Sequence, residues 1–256
     1  MDQFWALPPV ARTMFAFTFV QSTLVHGRLV SGYWSIFVPS LIFKAFPEVW
    51  RLVTPYFLTR GGYGFIFDLY CMYTYGTALE ANSPRFRTSG DFLTYVVFVA
   101  TVILLLAGIL MQSALFIAAL LMAFIYTYAQ DNRGQKTTFF FVQIRVEHLP
   151  WIMLFITWIM AGVHEVMIEC CGIAAAHLYD FLTRIYPTFG GGRNYIHTPA
   201  FVQRWFAGRG PQMAHGGYKF DPRDRASART TSSSTGGLFS GGAWGARRPG
   251  RRLGGD

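Results

Sequence analysis

The sequence predicts an all-α integral membrane protein built as a bundle of six helices. Between Phe92 and Gln130 the chain runs 39 residues without Asp, Glu, Lys, Arg or His. A single helix of that length would extend about 58 Å, roughly twice the hydrocarbon thickness of a bilayer. The polar interruption at Met111-Gln112-Ser113 therefore predicts two spans joined by a tight turn. A pair of helices buried in a large soluble core is the weaker alternative, because soluble cores seldom contain such long apolar runs.

Six apolar segments are the predicted spans, and four spans is the rival count. The third and fourth segments are free of charge, whereas the second carries Asp68 and the sixth carries Glu169, His177 and Asp180. The composition, 52% hydrophobic and 14% charged, fits a membrane protein. The segments cover residues 13–30, 62–79, 92–111, 113–129, 149–163 and 168–185.

The long loop of residues 31–61 is predicted to contain short helices in the membrane interface. It is rich in Trp, Phe, Ile and Val and is broken by Pro39, Pro47 and Pro55, which argues against a further span. Basic residues in the loops near Arg85 and Arg133 and in the tail place both termini in the cytosol by the positive-inside rule. An acidic turn around 164–165 between the last two spans would then face the opposite side.

The chain beyond the membrane domain is a basic tail. Residues 1–187 form the predicted membrane domain and 188–206 a cytosolic membrane-proximal segment, while 188–256 holds eleven of the 22 Lys and Arg residues. Residues 207–237, rich in Gly, Ser, Arg and Thr, predict a disordered linker. Residues 238–256 regain apolar side chains and predict a docking motif, with a random tail as the alternative. The charges are too scattered to indicate binding of nucleic acid.

Three polar residues of the sixth segment are predicted to share one face of a helix. Glu169, His177 and Asp180 are separated by eight and three residues, and ionisable groups in a membrane need partners. An internal hydrogen-bond network is the preferred interpretation, and a hydrated path for polar polypeptide is the alternative. Gly172 and Ala176 have the spacing of small residues that lets helices approach closely.

Neither a metal site nor a cofactor is predicted. The cysteines, Cys71, Cys170 and Cys171, lack metal-ligand spacing and read as small core residues. His164 and Glu165 lack a second ligand one helical turn away. The polar residues of the chain therefore point to packing or transport and not to metal chemistry.

Short motifs follow one another in a fixed order along the chain. They are Trp50-Arg51, Tyr75, Leu79-Glu80, Ala129-Gln130, Asn132-Arg133, Leu149-Pro150-Trp151, His177-Leu178-Tyr179, Tyr186-Pro187, Gly191-Gly192-Arg193-Asn194, Thr198-Pro199 and Arg204-Trp205. In this order and spacing they closely resemble the derlin family, the rhomboid-like pseudoproteases of the endoplasmic reticulum. The resemblance covers roughly residues 1–206 and resumes at the C-terminus.

The resemblance implies a six-helix rhomboid-like fold without proteolytic activity and a role in ER-associated degradation. Family members help to return misfolded lumenal or membrane proteins to the cytosol, beside a membrane RING ubiquitin ligase complex and a valosin-type AAA+ ATPase. A homo-oligomer is left open. The resemblance places Trp50 and Arg51 in the first lumenal loop, where we expect them to anchor the loop in the lumenal leaflet.

The C-terminus resembles the family's ATPase-docking SHP box in two overlapping registers, and the choice between them stays open. One register begins at Phe239. The other begins at Trp244-Gly245, and four further residues separate its first glycine from its second, Gly250. The residues concerned are Phe239, Trp244, Gly245, Gly250, Arg252, Leu253 and Gly254.

An active rhomboid-type serine protease is the alternative function, with a passive membrane adaptor for the ATPase as a third. Ser113 and His177 supply the residue types of a Ser-His dyad. However, Ser113 is flanked by Gln112 and Ala114 and lacks the Gly-x-Ser-Gly pattern of a rhomboid serine. His177 also lies about nine residues, or roughly 13 Å, down its own helix. The comparison aligned on Gly172 puts Glu169 at the position of the catalytic base. The sequence therefore predicts no catalytic residue.

Overall fold

Helices form in all six predicted apolar segments of the computed structural model, which describes residues 5, 7–42, 48–139, 142–189, 196 and 198–206. The chain divides into two units, 1–213 and 214–256, and every described residue belongs to the first. The helices are α1 Pro9–His26, α2 Tyr63–Asn82, α3 Ser89–Ile103, α4 Ile117–Asp131, α5 Leu149–Ala161, α6 Val163–Asp180 and the short α7 Ala200–Phe206.

Turns of π-helix lengthen α3 and α6. They span Leu104–Leu110 and Phe181–Ile185. The continuous stretches Ser89–Leu110 and Val163–Ile185 are long and apolar enough to cross a bilayer, judged by length and composition. α4 is also apolar but shorter, as is Val146–Ala161, which contains α5.

Helix α4 is the centre of the bundle. Every residue from Ile117 to Ile125 is buried, and α4 packs against α6 and α2. This is expected for a helix that is apolar on all faces and carries no charge before Asp131. α3 and α5 pack on both α6 and α4, so α2, α3, α5 and α6 surround α4, while α1 packs on α2.

Two helix starts are set by identifiable capping interactions. At α1 the carboxylate of Glu80, near the end of α2, accepts backbone hydrogen bonds from Val10 at 3.1 Å and Ala11 at 2.6 Å. Thr88 and Asp91 form a reciprocal capping box at the start of α3. The external cap explains why α1 begins four residues before the predicted segment, because Glu80 supplies acceptors for two N–H groups of its first turn.

The predicted acidic turn between the last two spans is wrong. α5 ends at Ala161 and α6 begins at Val163, so only Gly162 separates them, with a φ of 87°. That backbone region favours glycine. His164 and Glu165 lie in the first turn of α6, where a carboxylate is favoured by the helix dipole.

The all-α prediction misses an antiparallel hairpin between α4 and α5. Strands β1 Lys136–Phe139 and β2 Val142–Arg145 pair with Lys136 opposite Arg145. The hairpin forms because Thr137, Thr138, Val142 and Ile144 are β-branched residues, which favour strands. Ile144 packs against the core of the bundle, so the hairpin is attached to the helices.

The first loop consists of short helices, as predicted, and it is tied to the α3–α4 turn. Backbone hydrogen bonds join Phe37 to Ala114 at 2.9 Å and Phe116 to Pro55 at 3.0 Å. The Tyr56 hydroxyl donates to the Ala100 carbonyl at 2.6 Å. The short helices are Gly32–Trp34, Pro39–Ile42, Val49–Leu52 and Thr54–Tyr56.

Candidate functional site

Arg51 is the internal support of the first loop. Its side chain is 1% exposed and forms an ion pair with Glu48. Its Nη1 also donates to the Tyr33 carbonyl at 2.5 Å and the Ile36 carbonyl at 2.9 Å. A guanidinium suits this position because it carries several fixed donors. The expectation that Arg51 anchors the loop in lipid is therefore corrected, since its side chain is enclosed by the loop itself.

Trp50 has the opposite orientation and faces outward. Its ring stacks on that of Trp34 with a centroid distance of 6.2 Å, and both side chains are about half exposed. Paired indoles on an outer surface are typical of a membrane interface. Trp50 thus fits the predicted anchoring role, while its sequence neighbour fills the interior of the loop.

A groove lies between α2 and α5. It encloses a cavity of about 910 Å³. Tyr63, Ile66 and Met160, three of its wall residues, are strongly exposed, so the groove opens on the outer side of the bundle. Phe67 and Ile156 contribute to its apolar wall, and Thr138 of β1 also borders it. The hairpin that the sequence did not predict is therefore part of the groove wall.

A polar cluster occupies one end of this groove. Arg60 and Thr157 line the cavity. Arg60 Nη2 lies 2.8 Å from Asp68 Oδ1, and Arg60 Nη1 lies 3.5 Å from Glu169 Oε1. The Thr157 hydroxyl donates to the same Glu169 oxygen at 2.9 Å. Glu169 thus interacts with residues of α5 and of the loop before α2.

The electrostatics of Arg60 follow from these neighbours. Burial by itself would lower the pKa of the Arg60 guanidinium, but Asp68, Glu169 and Glu165 raise it above its ordinary value. Arg60 therefore stays charged beside the groove. Arg60 was not among the predicted site residues, although Asp68 in an apolar span required a cationic partner and Arg60 lies only eight residues earlier.

Asp180 belongs to a second cluster, around Arg85, that joins three helix ends. Arg85 Nη1 lies 2.6 Å from Asp180 Oδ1, and its Nε pairs with Asp131. Arg184 is also 3.6 Å from Asp180. Glu169 and Asp180 therefore have separate partner sets, and the predicted shared network of the sixth span is two networks.

The side chains of His177 and Ser113 each interact with a different residue, and not with one another. His177 is exposed, and its Nδ1 lies 3.2 Å from the Tyr126 hydroxyl. The buried Ser113 hydroxyl donates to the Leu115 carbonyl at 2.9 Å. Ser113 also precedes the start of α4 at Ile117, so it lies in the turn. The structure does not bring these two side chains into a hydrogen bond.

Gly172 faces α4. A Cβ built on Gly172 would lie 1.9 Å from the Ala119 carbonyl oxygen, so the two backbones are in direct contact. Ala176 is 2% exposed on the same helix. Two small residues one turn apart thus lie on the buried side of α6.

Two other predictions concern metal ligands and the tail. Within the described part of the chain, no group of three or more His, Cys, Asp or Glu residues could hold a metal ion.

The predicted docking-motif residues of the tail lie outside the described residues. They are Phe239, Trp244, Gly245, Gly250, Arg252, Leu253 and Gly254.

The outer surface of the bundle defines the class of protein. Large apolar side chains are exposed on α3, α5 and α6, among them Leu110 at 74% and Met160 at 73%. Two stretches long enough to cross a bilayer accompany this surface. Extensive exposed apolar surface is unfavourable in water and normal in lipid. The chain is a helical membrane protein.

Comparison with known proteins gives the family. The model of the Der1-like family matches residues 7–200. Derlin-1 of Homo sapiens and that of Bos taurus are each 32% identical over 213 residues, covering 81% of this chain and 83% of the relative. The probable derlin-1 homolog of Dictyostelium discoideum is 29% identical, covering 80% and 84%. The chain belongs to the Der1-like, or derlin, family, which confirms the resemblance of the motifs.

Proposed function

We propose that this protein is a non-catalytic component of ER-associated degradation that helps misfolded lumenal or membrane proteins to reach the cytosol. The groove between α2 and α5 is the observation that carries this proposal. Its wall is mostly apolar, its side is open, and Arg60 and Thr157 supply polar groups at one end. A polypeptide segment of mixed polarity would find both kinds of contact there.

A thinned bilayer beside α5 would favour such passage. α5 has 13 residues, which corresponds to about 20 Å, and a typical hydrocarbon core is roughly 30 Å thick. A short span is accommodated by local thinning of the bilayer at modest cost. The outward pair Trp34 and Trp50 would hold the first loop in the membrane interface.

The wider assembly of the proposal follows the family resemblance. All six long helices would span the ER membrane, with both termini in the cytosol. The protein would work beside a membrane RING ubiquitin ligase complex, as a single copy or as a homo-oligomer. The tail would recruit the valosin-type AAA+ ATPase through residues 238–256, and ATP hydrolysis would supply the directional work.

Two tryptophan substitutions on α5 test the groove as a substrate path. Met160 lines the groove and is 73% exposed, whereas the adjacent Ile159 is 66% exposed and lies outside the lining. Met160→Trp should slow turnover of a misfolded lumenal reporter in cells that depend on this protein, and Ile159→Trp should not. Equal turnover at equal abundance would overturn the groove as the path.

A tail graft separates the proposal from a passive adaptor. If an unrelated membrane anchor carrying residues 207–256 restored reporter turnover, the membrane domain would have no substrate path of its own. We expect the graft to fail, because the groove and the thinned bilayer are properties of the helices.

A further inference from the structure

We propose that the polar end of the groove binds a basic side chain, Lys or Arg, carried by the membrane segment of a substrate. This inference rests on the proposed function and specifies the substrate class. It concerns the site formed by Arg60, Asp68, Thr157, Glu165 and Glu169, which we call the acidic end of the groove.

The charges at the acidic end do not balance. Arg60 is the one cation of the set, and Asp68, Glu165 and Glu169 are three carboxylates that act on it. Arg60 is largely engaged by Asp68, which accepts from Nη2 at 2.8 Å and from the Arg60 backbone N–H at 3.0 Å. Asp68 is completely buried, so this pair is the internal part of the cluster.

Glu169 is left incompletely paired. Its Oε1 accepts from the Thr157 hydroxyl and lies 3.5 Å from Arg60, a distance beyond ordinary hydrogen bonding. Its Oε2 is buried and has no hydrogen-bond partner within the described part of the chain, although the residue is only 3% exposed. Buried polar atoms normally have partners, so this oxygen indicates a place for a donor that arrives from outside.

The groove gives such a donor access. Arg60 and Thr157 both belong to the groove wall, and each contacts Oε1 of Glu169, so a donor in the groove would reach this carboxylate between them. The apolar wall, including Phe67 and Met160, would cover the methylene stem of a lysine while its ammonium reached the carboxylate.

Charge complementarity selects a cation over other polar groups. A lysine or arginine in a substrate span is costly in lipid and would be stabilised by Glu169 and Glu165. A substrate carboxylate would add a further negative charge to the cluster. A glutamine could donate a hydrogen bond but could not offset the excess negative charge.

Photo-crosslinking of the full chain in lipid nanodiscs tests the inference. A photoreactive phenylalanine analogue replaces Tyr63, an exposed aromatic residue of the groove wall, and the partners are single-span Leu/Ala segments with Lys, Gln or Glu at the depth of Glu169. The Lys segment should crosslink about tenfold more than the Gln segment, the ratio expected for one hydrogen bond to a charged group. The Glu segment should crosslink least.

Matched variants assign the preference to Glu169. Glu169→Gln should abolish the advantage of Lys while leaving the yield for the Gln segment unchanged, so a folded groove is shown in the same experiment. Glu147→Gln, the same change beside the hairpin, should keep the advantage. If Glu169→Gln lowers every yield, Glu165→Gln, which removes another carboxylate that acts on Arg60, should still reduce the advantage of Lys.

The outcomes distinguish the two proposals. Equal yields for Lys and Gln in the unmodified chain would overturn the cation site and leave the groove as a substrate path. Absence of crosslinking with every segment would overturn both the cation site and the groove.

Discussion

Gly172 of α6 lies against the backbone of α4, with its missing Cβ position 1.9 Å from the Ala119 carbonyl oxygen. We expect Gly172→Ala to destabilise the bundle by about 3 kcal/mol, because the clash is with backbone and the helices must separate. Gly76→Ala is the matched control, since its Cβ would meet only the Ala11 methyl at 3.8 Å. The thermal unfolding midpoint in detergent should fall for the first variant, and equal midpoints would contradict the close approach.

Arg51→Ala should lower the stability of the first loop, and Trp50→Ala should not. The arginine substitution leaves two carbonyl groups and the partly exposed Glu48 without their donor, at a cost of about 1–3 kcal/mol. Steady-state abundance and limited proteolysis of the full chain measure the difference. Comparable abundance of the two variants would mean that the arginine is dispensable to the loop.

Arg85→Gln should loosen the ends of α4 and α6. Loss of the guanidinium leaves the carboxylates of Asp131 and the partly exposed Asp180 without their shared cation, so we expect stability to fall by about 2–3 kcal/mol. Arg87→Gln, two residues later and exposed, should change stability by less than about 0.5 kcal/mol. A thermal shift that is the same for both variants would show that the ion pairs contribute nothing.

Ser113→Ala should leave cleavage of a reporter span unchanged, and its only cost should be one hydrogen bond, about 1 kcal/mol. The reason is that the serine hydroxyl donates to Leu115 and His177 interacts with Tyr126. Incubation of purified protein with the reporter, followed by electrophoresis, makes the measurement. Serine-dependent cleavage would establish a protease and overturn the non-catalytic proposal.

A peptide of residues 236–256 should bind the amino-terminal domain of the ATPase with micromolar affinity, typical of a short tail motif. Leu253→Ala should abolish the binding if the second register is the correct one, and Phe239→Ala should abolish it if the first is. Fluorescence polarisation distinguishes the two cases. Absence of binding by the unmodified peptide would detach the tail from the ATPase.

The helices could be predicted because long apolar runs have few alternatives in a membrane protein. Their boundaries were less predictable wherever a distant residue provides the cap. Glu80 is the clearest case, because it lies about seventy positions from the α1 residues that donate to it. The single-residue turn at Gly162 was missed because the polar His164-Glu165 pair looks like a loop, although it forms a favourable first turn.

The site was predicted in part, and the failures concern pairing. Their position in an apolar span correctly indicated that Glu169 and Asp180 need partners. The spacing of residues along one helix cannot show that those partners are Arg60 and Arg85, which lie in other parts of the chain. Adjacent Trp50 and Arg51 illustrate the same limit. They form one motif in the sequence, but the short 3₁₀-helix Val49–Leu52 directs the Trp50 side chain outward and the Arg51 side chain inward.

The one-residue junction at Gly162 has a consequence for how the groove can change its width. With no slack between them, α5 and α6 must tilt together at that end, and α6 is held against α4 by the contact at Gly172. α2 is preceded instead by Gly61-Gly62, with Gly62 at a φ of 67° and no neighbour within 4 Å of its Cβ position. The backbone at Gly61-Gly62 therefore gives the start of α2 more freedom of direction than the junction at Gly162 gives α5 and α6.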